Sequence, residues 1–371
     1  MKDLLASLIL LSPALSSSSL ATENGMRFIA IGDWGGEGWY PYHSYKQWAT
    51  AQGMASVAAA NTERNLPAAS FVVSLGDNFY LNGIPTSLDE DAEHSIRFQG
   101  TFEEVYHHEE LDVPWYMIAG NHDWCGNLTA QFKYAQSPNS RWVFPHHSHH
   151  LVKEFRVDDS ETTHVKLEII MTDSMILAPG SEQCYEDGVS WPIPAPTDQV
   201  QDTLNWVESL LQESDADYLL VTGHYPLYSA CSNGNMPILI DNLDSLLKEY
   251  NVTAYLSGHE HCAFHVTYED MNYITSGIGN GCYYGPNEYS YSKIPSKKYR
   301  LPEGADLRYR LSGVIDYDES CGVLGGFLSF DVGQHNMTVN FHKDDGTVLY
   351  DTALLPRAGI SKRMPDAVAV E

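Results

Sequence analysis

The chain has 371 residues, 43% hydrophobic and 12% aromatic, which is enough apolar material for a substantial core; at 19% charged residues it is no disordered polyelectrolyte. Acidic residues outnumber basic ones 49 to 21, for a formal charge of −28. That field disfavours nucleic-acid backbones and anionic membranes, and it repels phosphate esters too unless bound cations reverse its sign locally.

From the N-terminus, Lys2 precedes a short apolar stretch, Leu4 to Leu15, interrupted by Pro13, and then the small residues Ser16 to Ser19 and Ala21. Residues 1–21 read as a signal peptide, 22–355 as one domain, and 356–371 as a polar tail. No later run reaches the roughly 18 apolar residues of a membrane helix, so no membrane span is expected. Three sequons, at Asn127, Asn251 and Asn336, read as glycosylation acceptors. With the leader they predict a secreted protein or one in a secretory, vacuolar or lysosomal lumen. Six cysteines, none in a C-x-x-C pair, argue against a zinc ribbon or thioredoxin site and allow up to three disulfides, with the pairing open.

Apolar runs of strand length follow one another: Arg27–Ile31, Phe71–Leu75, Trp115–Ala119, Leu167–Thr172, Tyr218–Thr222 and Thr253–Leu256. Between them lie stretches of helical spacing, Tyr45–Ala60, Asp198–Glu213 and Ile238–Tyr250. The acidic run Asp89–Glu93 reads as a solvated helix start. His146, His147, His149 and His150 read as exposed loop or hairpin residues, with a second metal site as the lesser reading. Alternating strands and helices predict an α/β fold. Gly326–Phe330 and Met337–Phe341, with Gly333 in the turn, predict a hairpin continuing a second sheet.

Five short motifs each follow a strand-like run: Gly32-Asp33, Gly76-Asp77-Asn78-Phe79-Tyr80, Gly120-Asn121-His122-Asp123, Gly223-His224-Tyr225-Pro226 and Gly258-His259-Glu260-His261. Ligands of open α/β sheets bind at the strands' C-terminal ends. A glycine before each metal-capable residue lets the chain turn sharply off its strand. Asp33 to Asp77 and Asp77 to Asn121 are both 44 residues, room for a helix and a returning strand, so the loops are expected to meet at one sheet edge. A lone Gly-Asp is ordinarily a turn and a lone histidine ordinarily structural. The recurrence is what points to a shared pocket. Carboxylates and phenolate suit a hard cation, imidazoles and an amide oxygen a borderline divalent one, and two ions about 3.5–4 Å apart activate water and clamp a phosphoryl group.

In these motifs the chain resembles the metallophosphoesterase superfamily, and within it the small purple, or tartrate-resistant, acid phosphatases. Tyr80 in Gly-Asp-Asn-Phe-Tyr is the most specific element. The resemblance, from about Arg27 to Phe341, implies a four-layer sandwich of two mixed β-sheets flanked by α-helices. It implies an Fe(III) site of Asp33, Asp77, Tyr80 and His261, and a divalent Fe(II), Zn or Mn site of Asp77, Asn121, His224 and His259. It also implies a metal-bound hydroxide as nucleophile and His122 as a cationic stabiliser or proton donor. The family's second active-site histidine falls here on Asn233, which can hydrogen-bond phosphate but cannot supply a proton. A Cys184–Cys231 disulfide and a regulatory loop near Ala178–Pro196 are implied as well. Expected substrates are phosphate monoesters, including phosphoproteins, nucleotides or phytate. Alternatives are a zinc or manganese phosphodiesterase or nucleotide pyrophosphatase, and a non-catalytic iron-binding glycoprotein.

Overall fold

The computed structural model describes residues 25–61, 66–86, 92–138, 140–156, 164–283, 301–312 and 323–357. The expected signal peptide, most of the polar tail and the start of the acidic run lie outside these residues. Among the described residues, sixteen strands form two seven-stranded sheets and one hairpin. From edge to edge, the first sheet runs β16 (Val348–Leu354), β15 (Met337–Lys343), β14 (Gly326–Val332), β1 (Met26–Ile31), β2 (Ala69–Ser74), β3 (Trp115–Tyr116) and β4 (Trp142–Val143). The second runs β13 (Asp306–Leu311), β11 (Ala263–Tyr268), β12 (Met271–Ser276), β10 (Ala254–Ser257), β9 (Tyr218–Thr222), β6 (His164–Met171) and β5 (His149–Arg156). The hairpin is β7 (Gln183–Glu186) with β8 (Val189–Pro192).

Both large sheets mix parallel centres with antiparallel edges. β1 runs parallel to β2 and β2 to β3, while β14 runs antiparallel to β1. β9 is parallel to both β6 and β10, and β10 to β12. Along β1 every residue is buried because the strand is covered on both sides. Phe28 and Ala30 pack in the layer between the sheets with Leu220, Leu256 and Phe330. Ile29 and Ile31 face the other way, in a cluster with Met54 and Ala58 of the helix Tyr45–Ala58. On the second sheet Val221 and Tyr255 belong to the outward cluster, with Val207 and Leu211 of the helix Val200–Glu213. The period-two alternation of strand side chains thus yields helix, sheet, sheet, helix.

Three expectations change. The C-terminal hairpin does not continue a second sheet; β14 pairs with β1, so it extends the first. The stretch 238–250 is no single helix: it breaks into Pro237–Leu239, a wider π turn over Ile240–Asp244, and Ser245–Glu249. Asp244 at that break binds the Tyr228 and Tyr273 hydroxyls and Lys248. His149 is no exposed loop residue, since it opens β5 opposite Met171 and is buried.

Candidate metal centre

The five glycine-led loops come from the C-terminal ends of strands in both sheets, not from one sheet edge. Gly32-Asp33 follows β1, Gly76-Asp77 lies just past β2 and Gly120-Asn121 beyond β3, while Gly223-His224 and Gly258-His259 follow β9 and β10. Bonds across the junction lock the loops together. The Asp33 N–H donates to Gly76 O at 3.0 Å, the Gly32 N–H to Ser276 O at 3.2 Å, and the His259 N–H to Asp33 Oδ2 at 2.7 Å.

The glycines serve chiefly by lacking a Cβ. Of the five, only Gly76 has a positive φ, 91°. A Cβ on Gly120 would sit 2.1 Å from Asp77 Oδ1, and one on Gly258 2.5 Å from Asp33 Oδ2. The left-handed backbone falls mostly on the residues that follow three of these glycines, with φ of 57° at Asp33, 54° at Asp77 and 69° at His259. Such conformations cost about 1–3 kcal/mol each and cluster where a site over-determines the chain.

One half of the pocket gathers Asp33, Tyr80 and His261. The Tyr80 hydroxyl lies 3.2 Å from Asp33 Oδ1 and 3.1 Å from His261 Nε2, and His261 Nε2 lies 3.3 Å from Asp33 Oδ1. Among the described residues, Asp33, Asp77 and His261 form the one group of carboxylate and imidazole donors close enough to share an ion. The other half gathers Asp77, Asn121 and His224. His224 Nδ1 bonds Leu75 O at 2.8 Å; a carbonyl only accepts, so Nδ1 carries the proton. His224 Nε2 then faces Asn121 Oδ1 at 3.0 Å and Asp77 Oδ1 at 3.4 Å. The Nε2 lone pair there is satisfied by a second proton, by a cation, or by the Asn121 amide turned to present its N–H.

The charges point the same way. Burial pushes the His224 imidazole down, but the Asp77 carboxylate overrides it and raises it to about 10. Burial works to raise Asp77, yet His224 and His122 hold it well below the usual carboxylate range. Burial and Asp77 together push Asp123 up to about 7. Asp123 stands behind the pocket and accepts backbone N–H groups from Asn78 and Gly120, fixing two ligand loops relative to each other. Asp33, Asp77 and His261 are close enough to share one ion, and Asp77 also borders Asn121 and His224, so oxygen and nitrogen donors of the kind that hold metal ions line both sides of Asp77.

His122 is partly exposed at the mouth. Its Nδ1 donates to Leu81 O, its Nε2 lies 3.9 Å from Asp77 Oδ2, and its ring stands edge-on to Tyr80 at 4.8 Å. His259 meets His224 ring to ring at 5.2 Å, and its buried Nε2 turns toward Glu182 Oε1 at 3.1 Å. Glu182 was not among the expected site residues, although it lies in the stretch Ala178–Pro196; no local pattern marks it. Asn233 sits against the same loop, its Nδ2 donating to His259 O at 3.3 Å. Asn127 caps the helix Leu128–Tyr134, while Asn251 and Asn336 are exposed.

The disulfides differ from the expected Cys184–Cys231 pair. Cys184 is bonded to Cys125 and Cys231 to Cys262, with Cα–Cα distances of 5.5 and 6.8 Å. Each thus had a partner on a ligand loop beside it: Cys125 lies four residues after Asn121, and Cys262 directly after His261. Cys282 is disulfide-bonded as well. These bonds suit an oxidising compartment, and among the described residues no helix is long and apolar enough to cross a membrane.

Residues 26–263 match the family model for calcineurin-like phosphoesterases. The chain is 34% identical to tartrate-resistant acid phosphatase type 5 of Rattus norvegicus over 348 residues, covering 93% of this chain and 95% of the rat protein. Its fold is similar to that of GAP50, the anchor in the inner membrane complex of Plasmodium (TM-score 0.67, 22% identity, 90% of this chain and 89% of that one). It is similar also to a purple acid phosphatase from yellow lupin seeds (TM-score 0.52, 14% identity, 88% of this chain and 53% of that one). The chain therefore belongs to the calcineurin-like phosphoesterase family, alongside the tartrate-resistant and purple acid phosphatases, and is a phosphate-ester hydrolase.

Proposed function

We propose that the chain hydrolyses phosphate monoesters in acid, with Fe(III) held by Asp33, Asp77, Tyr80 and His261 and a divalent ion, Fe(II), Zn or Mn, held by Asp77, Asn121, His224 and His259. The observation that carries this reading is the convergence of metal-capable atoms on Asp77, where His224 Nε2, Asn121 Oδ1 and a carboxylate oxygen meet. When bound, the ion pair supplies Lewis-acid activation of water and of the phosphoryl group.

The chain's own residues do the rest. Asp77 lies between the two donor sets and would serve both ions. The His122 Nδ1 proton is engaged by Leu81 O, so Nε2 faces the pocket. A proton on Nε2 passes to the leaving oxygen as the ester bond breaks. Asn233 offers the second hydrogen of its amide to a phosphoryl oxygen. Aryl phosphates, phosphoproteins and phytate are the substrate classes to test, and nucleic acid is disfavoured by the charge of −28. The leader and the three sequons, with the disulfides, support a secreted or lumenal glycoprotein.

The test is direct. Secreted protein with iron bound should show a visible absorption band that Tyr80→Phe abolishes, and should turn over an aryl phosphate near pH 5. Asp77→Asn and His122→Ala should each lose that turnover with the circular dichroism intact. A colourless, zinc-filled, fully active protein would favour the phosphodiesterase reading. A fold does not by itself carry activity. Metal binding without turnover would point to the non-catalytic reading.

A further inference from the structure

Glu260 lies between two donor histidines, yet its carboxylate is turned away from the pocket and is fully buried. It accepts from three groups of one loop: the Ser229 hydroxyl, the Asn233 N–H at 3.1 Å and the Gly234 N–H at 3.0 Å. The loop is braced at each end. Ser229 Oγ accepts the Cys231 N–H at 2.9 Å, and Asn235 Oδ1 accepts the Ser229 N–H at 2.9 Å. The Cys231–Cys262 disulfide ties the loop covalently to the residue two past Glu260. Asn233 Nδ2 spends one hydrogen on His259 O. The loop starts five residues after His224, so it carries a donor histidine at its root and is stitched to two others at its tip.

A buried carboxylate with three donors holds them more tightly than neutral hydrogen bonds would. We infer that Glu260 is a positioning residue for phosphate binding: it fixes the backbone of residues 229–234 so that the free amide hydrogen of Asn233 meets a phosphoryl oxygen. The inference rests on the proposed phosphatase reading and adds to it a residue that acts through another.

Glu260→Gln replaces one acceptor oxygen with a donor facing N–H groups. The expected result is a rise of about tenfold, with the same factor in KM for phenyl phosphate and in the inhibition constant of inorganic phosphate, from the loss of one charge-assisted bond. The kcat should stay within about twofold and metal content unchanged, as a positioning rather than a bond-making role demands. Asn233→Ala should show the same factor, and the double variant should be no worse than either single one, because the two act in series. Ser229→Ala, a milder cut in the same network, should move both constants in the same direction and keeps the test available if Glu260→Gln folds poorly. Losses that multiply in the double variant, unchanged phosphate affinity, or metal lost from Glu260→Gln would each overturn the inference. If the parent protein binds metal but turns over no ester, the activity reading falls instead; calorimetric titration with inorganic phosphate still decides the Glu260–Asn233 link.

Discussion

His149 sets an acid limit on the fold. It opens an edge strand of the second sheet and is only 8% exposed. Burial pushes its imidazole down to about 4, outweighing the His146 backbone contact that raises it, with the charges of His150 and His146 adding smaller repulsion. In the unfolded chain the same group titrates near 6.5. Between those values the unfolded state holds a proton that the folded state refuses, so stability rises with pH across the window and is lost as pH falls from about 6.5 toward 4. The full gap is worth about 3 kcal/mol, and about 2.5 kcal/mol of it is lost between pH 7 and pH 4.5. His149→Leu removes the titrating group while keeping an apolar side chain of similar size. The variant should therefore gain about 2.5 kcal/mol on the parent between pH 7 and 4.5, whatever packing offset the two show at neutral pH. Urea unfolding with the disulfides intact, followed by tryptophan fluorescence at both pH values, measures it. An equal stability difference at the two pH values would refute the reasoning and mean that His149 is protonated in the fold.

Gly120→Ala should push a Cβ into Asp77 Oδ1, where the gap is 2.1 Å. Overpacking of this kind costs about 1–3 kcal/mol, so metal affinity and turnover should fall about tenfold or more; chelator competition and activity on the same preparation check both. Replacing Cys125 and Cys184 with serine opens a 59-residue loop and should cost about 4 kcal/mol of stability by chain entropy, read as a lowered urea midpoint.

The strands that carry the site were legible because both their faces are covered. Tyr218–Thr222 is an unbroken apolar run and is a strand over those same residues. Trp115–Ala119 looks alike but is a strand only at Trp115–Tyr116, with one further bond from the Met117 N–H to Val143 O at 3.0 Å. Edge strands such as β13 were not legible, because their exposed residues break the apolar pattern. The stretch 238–250 keeps helical spacing through its break, since its leucines still share one face, and no residue announces the wider turn. Disulfide partners are a tertiary matter. Cys184 sits on a hairpin that folds back over the helix after Asn121, and nothing in its neighbourhood says so. The same fold-back delivers Glu182 to His259, which is why that contact escaped sequence reading. His149 was misplaced because a run of histidines looks solvated until a sheet is built over one of them.

The geometry around Asp77 is costly unless it is used. Asp33, Asp77 and His259 hold left-handed backbone that most side chains avoid, at about 1–3 kcal/mol each. Beside them, the buried His224 imidazole is raised to about 10 by Asp77 and so holds a second proton between Asn121 and Asp77 at 3.0 and 3.4 Å, a position a bound cation can take instead. Gly120 and Gly258 are kept free of a Cβ so that the carboxylates can approach. A scaffold with no use for cations would relax each of these features for a gain in stability, since none of them supports the core between the sheets. All of them are offset together if cations bind the native state and not the unfolded one, for bound ligand then stabilises the fold by mass action. The strain, the buried cationic imidazole and the missing Cβ atoms are three separate observations with one common physical cause, and that shared cause, more than the fold, argues for chemistry at this site.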